Sequence, residues 1–313
     1  MNILPAKELT VLDADTFLTT LYVMVDDFCK AKLPAEVQPG PKASLSRSEV
    51  VTLALFGQWG RFASERDFFR FAQQRLRAAF PTLPNRTQFN RLLRRHQAAI
   101  VAFDLSLREE TDLELLDLSA APVRDRRRRG RSWVAGKADY GYSSREGTFF
   151  GFHVLVSVTP QGVICGFAFG PGSAKEQKMA ECFFALRHRP DPRLPSVGTQ
   201  QEGHYVADRG FAGRELHARW KQDYGASLLS LVPRRDKIQL PKWWHQRLVS
   251  LRQIVETVYE KLHHVFRLQR ERPHALDGFA ARLAANVGLH NFCIWLNRSL
   301  GRPPLQFADL LDC

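Results

Sequence analysis

The sequence is poor in sulfur-containing residues and has no long uncharged apolar run. Its 313 residues include 5 cysteines and 3 methionines, and the cysteines are scattered without a C-x-x-C pair. This pattern favours reduced, mostly buried thiols over a zinc knuckle or a disulfide framework. The first ten residues lack an apolar core of signal length, and no later run is free of charge over the length of a membrane span. We therefore expect a cytoplasmic protein that does not enter a membrane.

Acidic residues are also scarce relative to basic ones. The chain has 45 Lys and Arg against 32 Asp and Glu, which gives a formal net charge of +13. Such a field attracts polyanions, so nucleic acid is the leading candidate partner. A ribosome-associated protein or a merely soluble basic protein is the alternative. The apolar fraction of 44% is ample for a folded core.

The first third of the chain carries helix patterns. Residues 12–30 place apolar side chains at steps of three and four, which predicts an amphipathic helix. Capping patterns at Ser46 and Ser64 begin two further helices, and residues 85–95 form a third after them. Three helices joined by short segments favour a compact bundle of helix-turn-helix type. We expect residues 1–110 to be a helical, DNA-binding region.

Basic side chains on the helix expected at residues 85–95 could reach DNA phosphates and base edges from a groove. The candidates are Arg86, Arg91, Arg94 and Arg95. For any single one of them, a solvated basic face on a structural helix is about as well supported, since charge runs usually serve solubility.

From residue 111 onward the pattern changes to alternating strands and helices. Three strands are expected at 113–118, 148–158 and 162–169, followed by a helix at 174–187, a strand at 205–207, a helix at 211–222, a strand at 226–232 and helices at 246–266 and 275–297. This order predicts an α/β architecture, a mixed sheet with flanking helices. It fits a ribonuclease-H-like topology, in which acids from the first strand, the fourth strand and a following helix meet.

Three acids lie in the positions that this topology requires. Asp117 and Asp208 are each expected at the end of a strand, and Glu256 lies on a helix one turn after Arg252. Magnesium prefers hard oxygen ligands, and phosphodiester cleavage commonly uses two such ions. For Arg252 and Glu256, spacing alone favours an ordinary salt bridge between residues four apart.

Four runs resemble, in this order, the catalytic half of insertion-sequence DDE transposases, most closely the IS982 family within the group that includes the IS4 and IS5 families. The runs are Asp117–Val123, Gly151–Thr159, Ala207–Phe211 and Arg252–Val258, and the resemblance covers most of residues 110–298. The sequence departs from the family pattern at His153, where lysine is usual, and in the run Gly170–Glu176 after the third strand. It also departs at Val249 and His263, the outer positions of a tyrosine-arginine-glutamate-lysine signature.

The resemblance implies a ribonuclease-H-like catalytic domain over residues 111–300, followed by a tail at 301–313. It implies that Asp117, Asp208 and Glu256 form an acidic triad that holds two Mg²⁺ (or Mn²⁺) ions. The implied reaction is cleavage at the terminal inverted repeats and transfer of the 3′-hydroxyl into target DNA, by a homo-oligomer associated with the bacterial nucleoid. A nuclease without strand transfer and an inactive DNA-binding regulator are the alternatives.

Further basic and aromatic side chains are expected near these acids. The arginine run shortly after Asp117 would line the same cleft and meet DNA phosphates. Its members are Arg124, Arg126, Arg127, Arg128 and Arg129. Arg209 is expected to make a phosphate or structural contact, and Arg252 to orient Glu256 or contact phosphate. Trp243 and Trp244 could stack on an unpaired base, although packing is the commoner use of such side chains.

Overall fold

The N-terminal helices begin at the residues that the capping patterns indicate. The computed structural model describes residues 11–36, 43–124, 134, 136–189, 197–198, 202–230, 241–270 and 272–312. The helices of the first third are α1 (Ala14–Lys32), α2 (Arg47–Phe56), α3 (Glu65–Arg75), α4 (Arg86–Arg95) and α5 (Gln97–Ser106). Ser46 Oγ accepts a hydrogen bond from the backbone N–H of Glu49, whose carboxylate accepts one from the N–H of Ser46, so the capping box is formed.

Helix α5 is absent from the sequence-based prediction. It follows α4 after the single residue His96 and has no side-chain cap at its start. Because no capping residue or break marks the boundary, the pattern of the sequence gives no local signal for a separate helix. Its apolar side chains are buried and pack against the last long helix, α9 (Leu276–Ser299).

Helix α9 joins the N-terminal helices to the rest of the chain. It is buried on nearly all sides, and Phe292 on α9 packs edge-on against Phe17 on α1 with ring centroids 5.3 Å apart. Residues of α1 to α5 and of the sheet belong to the same continuous apolar core. The division of the chain at residue 110 stays a prediction, and so does the DNA-binding role of the first part.

The remaining elements form a mixed sheet with helices packed on it, as the sequence predicts. The strands of this sheet are β2 (Leu113–Pro122), β3 (Asp139–Ser143), β4 (Gly147–Val158), β5 (Ile164–Pro171), β6 (Gly203–Ala207) and β7 (Ala226–Ser230), and the helices are α6 (Glu176–His188), α7 (Arg214–Tyr224) and α8 (Lys242–Glu260). The strand order is β3-β4-β2-β6-β7, with β5 also paired to β4. This arrangement is consistent with a ribonuclease-H-like fold.

Strand β2 pairs in opposite senses on its two sides. It is antiparallel to β4 and parallel to β6, and the parallel pairing ends where Leu116 lies beside Ala207. The residues that follow, Asp117 and Asp208, are therefore neighbours at the point where β6 ends. The register between two strands that are far apart in the sequence but adjacent in the sheet brings the two acids together.

Two boundaries and one strand differ from the prediction. Asp117 lies in the middle of β2 and not at a strand end, because pairing with β4 continues as far as Pro122. Strand β3, which pairs with the first part of β4 through a hairpin, was not predicted. Helix α8 begins four residues early, at Lys242, and includes both tryptophans of that segment.

Short elements complete the chain. A parallel pair, β1 (Leu12–Asp13) and β8 (Leu311–Asp312), ties the first described segment to the last. Helix α8 continues into a π-helical turn, Lys261–Val265. None of the helices that the structure describes combines the length and the apolar character needed to cross a membrane.

Candidate active site

A cleft of about 380 Å³ lies beside the point where β2 and β6 separate. Its walls come from β2, the β3–β4 hairpin, the start of α6, the end of β6 and one face of α8. Asp117, Asp208 and Glu256 all line it, so the structure brings the three predicted acids to one place. We call it the acidic cleft. The charged and hydrogen-bonding side chains among its lining residues are Asp117, Ser119, Tyr142, Ser143, Ser144, Arg145, His153, Glu176, Asp208, Arg252, Glu256 and Tyr259.

The backbone fixes one oxygen of Asp208. Asp208 follows β6 and precedes a three-residue 3-10 turn, Arg209–Phe211. Its Oδ1 accepts a hydrogen bond from the backbone N–H of Arg209 at 2.5 Å. A carboxylate held in this way at the end of a strand has a defined orientation, which a ligand for a cation requires.

Arg252 lies between two of the acids. Its Nη2 is 3.2 Å from Asp208 Oδ2 and 3.3 Å from Glu256 Oε1. Because the three side chains are partly exposed to water, these ion pairs stabilise the fold only modestly. Their effect is local: a positive charge holds Asp208 and Glu256 near each other.

Asp117 has a strongly perturbed carboxyl group. Burial raises its pKa to about 7, and the negative charges of Asp208 and Glu256 add to the increase. The Leu118 N–H and the Arg252 guanidinium act in the opposite direction without cancelling the effect. The acid nearest the core is thus the one whose negative charge is least well compensated.

Helix α8 is fastened to β2 next to these acids. The hydroxyl of Tyr259 lies 2.9 Å from the backbone oxygen of Asp117 and 2.7 Å from that of Val154. One turn further on, His263 Nε2 lies 2.9 Å from Ser119 Oγ. Since Glu256 lies three residues before Tyr259 on the same helix, this docking also determines where Glu256 enters the cleft.

A fourth acid, Glu176, lines the cleft and was not identified from the sequence. It is the first residue of α6, and burial together with the charge of Asp208 raises its pKa. A Cβ at Gly210 would overlap the Glu176 carboxylate, so the glycine after Arg209 leaves the space that this side chain occupies. The one signal in the sequence is an acid at the start of a helix in the run Gly170–Glu176, where the chain departs from the family pattern.

The chemistry of these side chains fits a divalent cation, although their spacing is wider than one ion requires. The cleft contributes the carboxylates of Asp117, Glu176, Asp208 and Glu256 against the guanidinium groups of Arg145 and Arg252. Hard oxygen donors in excess over cationic groups are the preferred surroundings of Mg²⁺. Within the described part of the chain, no three Asp, Glu, His or Cys side chains lie close enough together to surround one ion. Arg252 occupies the space between two of the donors.

The arginines predicted to contact DNA lie in three different settings. Arg252 lines the acidic cleft, and Arg209 is exposed beside it. Arg124 is buried: its guanidinium lies 4.0 Å from the Phe150 ring centroid and donates to the Tyr140 hydroxyl. The exposed arginines of α4 do not line the acidic cleft; they are Arg86, Arg91, Arg94 and Arg95. Arg126, Arg127, Arg128 and Arg129 lie outside the described residues.

Aromatic side chains occur near the cleft and at the start of α8. Tyr142 lines the cleft and is 72% exposed, and no pattern in the sequence singles it out. Trp243 is 68% exposed and its ring packs against Trp244 with centroids 5.3 Å apart. Neither tryptophan is among the residues that line the cleft.

Comparison with known proteins gives one structural and one family similarity. The chain is similar to a piggyBac transposase, solved by cryo-EM in a synaptic complex with hairpin DNA, with 12% identity and a TM-score of 0.35. The similarity covers 74% of this chain and 51% of the other, so the chain matches about half of the length of that protein. Among curated proteins, none matches the chain.

The family similarity covers the part of the chain that forms the acidic cleft. The profile of the family described as "Transposase DDE domain" matches residues 111–292, from the residues before β2 into α9. The match spans more than half of the chain and contains Asp117, Asp208 and Glu256. The chain therefore belongs to the transposase family defined by this DDE domain.

Proposed function

We propose that this transposase cleaves DNA at the ends of an insertion sequence and joins the freed 3′-hydroxyl to target DNA, with Asp117, Asp208 and Glu256 as its catalytic acids. The observation that carries the proposal is the convergence of these carboxylates in one cleft, inside the segment that the family profile matches. The positive net charge of the chain supports DNA as the partner.

Asp117, Asp208 and Glu256 would hold two Mg²⁺ or Mn²⁺ ions. Divalent ions in such a site stabilise the negative charge that develops on the phosphoryl oxygens and on the attacking and leaving oxygens. The raised pKa of Asp117 supports this assignment, because burial and the charges of Asp208 and Glu256 disfavour its ionised form and a bound cation would stabilise that form.

The chain's own residues would position the phosphodiester. The backbone N–H of Arg209 fixes Asp208, and the bond from Tyr259 to the backbone of Asp117 fixes the helix that carries Glu256. Arg145 and Arg252 line the same cleft and can donate to phosphate oxygens. Phosphoryl transfer depends mainly on such positioning and on charge stabilisation.

A strand-transfer assay tests the proposal. The purified protein would be incubated with a DNA fragment carrying the element's own ends, Mg²⁺ and a target plasmid. We expect joined products from the wild type and none from Asp208→Asn. Cleaved ends without joined products would favour a nuclease without strand transfer. Equal processing by wild type and Asp208→Asn would exclude the acidic cleft as the active site.

The finer assignments are also proposals. Membership of the IS982 group rests on the four sequence runs that resemble it. A homo-oligomer follows from the chemistry, because two ends of one element must be held together for coupled cleavage and joining. An inactive DNA-binding regulator would bind the element ends and give no cleavage with any divalent ion.

A further inference from the structure

A second cleft, of about 450 Å³, lies between α3, α4, the segment after the π-helical turn and the start of α9. Arginines dominate the described residues that line it, with Glu65 as the one carboxylate among them. The arginines are Arg66, Arg86, Arg94, Arg267, Arg270, Arg272 and Arg282. We call it the arginine cleft.

Glu65 is already committed to internal contacts. Its carboxylate accepts hydrogen bonds from Arg282 and from the side-chain amide of Asn90. Arg282 also donates to Asn90 Oδ1 at 2.8 Å, so these three residues join α3, α4 and α9. Glu65 therefore balances the charge of Arg282 and supports the floor of the cleft.

Several of those arginines are exposed and only weakly paired. Arg66 has no ion-pair partner within the described part of the chain. Arg86 lies 3.9 Å from Glu65, and Arg94 lies 3.6 Å from the exposed Asp277. Arg270 uses Nη1 to contact the backbone oxygen of Gly60 at 3.0 Å, which fixes its position without reducing its charge.

Exposed arginines held around one cavity create a strong field for anions. Guanidinium groups match the geometry of phosphate and can donate two hydrogen bonds to it. A cavity with several such groups suits a chain of phosphates better than a single small anion, because the charges are spread along its walls.

The arginine cleft is linked to the acidic cleft through β2. Arg272 Nη1 donates to the backbone oxygen of Pro122 at 3.2 Å, and Pro122 is the last residue of the strand that contains Asp117. The same strand therefore contributes a residue to the acidic cleft and a contact to the arginine cleft.

We propose that the arginine cleft binds backbone phosphates of duplex DNA, at a site separate from the acidic cleft. The inference rests on the proposed function only in its choice of duplex DNA as the ligand. The contact is independent of base sequence, because it is made to the backbone. It places the principal phosphate contacts in a cleft that joins the N-terminal helices to α9, and not on the outer face of α4.

Binding of a fluorescent duplex of mixed sequence, measured by anisotropy over a range of salt concentrations without divalent ions, tests the inference. The test variant carries Arg66→Gln and Arg270→Gln. The control carries Arg75→Gln and Arg77→Gln, which remove the same charge from exposed arginines outside both clefts. Melting temperatures of the three proteins show whether the variants fold.

We expect the test variant to bind at least about tenfold more weakly at 0.1 M salt, with a slope of log affinity against log salt reduced by about 2. The control should keep the wild-type slope. An unchanged slope in the test variant, or an equal loss in both variants, overturns the inference. Equal competition by polyglutamate at the same charge concentration also overturns it, since the cleft would then accept any polyanion.

The outcomes separate this inference from the proposed function. Metal-dependent cleavage by the wild type, together with normal binding by the Arg66→Gln, Arg270→Gln variant, would refute the arginine cleft and leave the acidic cleft standing. If the wild type never cleaves DNA but its binding depends on Arg66 and Arg270, the proposed function is refuted and the arginine cleft stands.

Discussion

The acidic cleft and the arginine cleft lie near different parts of one strand and differ in how the chain holds their charges. In the acidic cleft, the register between β2 and β6 and the docking of α8 bring carboxylates together, and burial, aided by the charges of Asp208 and Glu256, raises the pKa of Asp117 to about 7. In the arginine cleft, backbone oxygens such as those of Gly60 and Pro122 hold the guanidinium groups.

This difference indicates different tasks. Crowded carboxylates store electrostatic repulsion that a bound cation relieves, which suits chemistry at one phosphate. Arginines spread over a cavity and fixed by neutral backbone groups keep their charge for an extended polyanion. The comparison predicts that changes in the acidic cleft affect reaction and metal dependence, whereas changes in the arginine cleft affect binding.

The largest expected effect is that of Asp208→Asn. We expect cleavage to fall about 10³-fold, because metal-ion stabilisation is worth several kcal/mol and each 1.4 kcal/mol is tenfold in rate. Duplex binding without metal should stay at the wild-type level. Asp223→Asn, an exposed acid on α7, is the matched control. Loss of DNA binding in Asp208→Asn with retained cleavage of bound DNA would contradict the division of tasks.

Tyr259→Phe tests whether the acidic cleft depends on the docking of α8. The change removes the hydroxyl that contacts the backbone oxygens of Asp117 and Val154, and leaves those buried acceptors with one partner fewer. We expect the free energy of unfolding, measured in urea, to fall by about 1–3 kcal/mol. Cleavage should decrease even though Tyr259 is not proposed to touch the reacting phosphate. Unchanged stability would show that other contacts fix the helix.

Glu176→Gln tests whether the fourth acid belongs to the metal-dependent site. Burial and the nearby charge of Asp208 raise the pKa of its carboxyl group. We expect the Mg²⁺ concentration at half-maximal cleavage to rise about tenfold, the range found for groups that support metal ligands. Glu215→Gln, which changes an exposed acid in the first turn of α7, should have no effect. Identical metal dependence in the two variants would exclude Glu176 from the site.

The smallest expected effect concerns pH. The folded-state pKa of Asp117, about 7, is above its ordinary value of 3.8, so the folded protein holds this proton more tightly than the unfolded chain does. The resulting stability is present below about pH 4 and is lost as pH rises towards 7. In metal-free protein, Asp117→Asn should remove on the order of 1 kcal/mol or more of this pH dependence. Equal unfolding profiles for both proteins between pH 4 and 8 would contradict it.

The sequence predicts helix starts and other features whose hydrogen bonds lie between residues close together in the chain. The capping box at Ser46 begins α2 as expected, since both of its hydrogen bonds lie within one turn. The mixed sheet follows from the order of strands and helices. By contrast, the sequence predicts a strand end at Asp117 because the apolar run stops there, whereas pairing with β4 carries β2 on to Pro122.

The residues of the acidic cleft also differ in whether the sequence alone could identify them. Asp117, Asp208 and Glu256 could be selected because each lies in a strand or helix pattern that resembles a known family. Glu176 could not, since it reaches the cleft only through the packing of α6 beside Gly210. Arg124 is likewise buried against Phe150 because β2 pairs with β4. The arginine-rich composition around it predicts an exposed loop and gives no sign of this pairing.

Metal binding measured without DNA tests the central claim most directly. Free Mn²⁺ would be quantified by electron paramagnetic resonance during titration of the wild type, Asp117→Asn, Asp208→Asn, Glu256→Gln and the Asp223→Asn control. The acidic cleft predicts saturable binding by the wild type and the control, and binding weakened at least about tenfold in each of the three cleft variants. Equal Mn²⁺ binding by all five proteins would show that Asp117, Asp208 and Glu256 do not form a metal site.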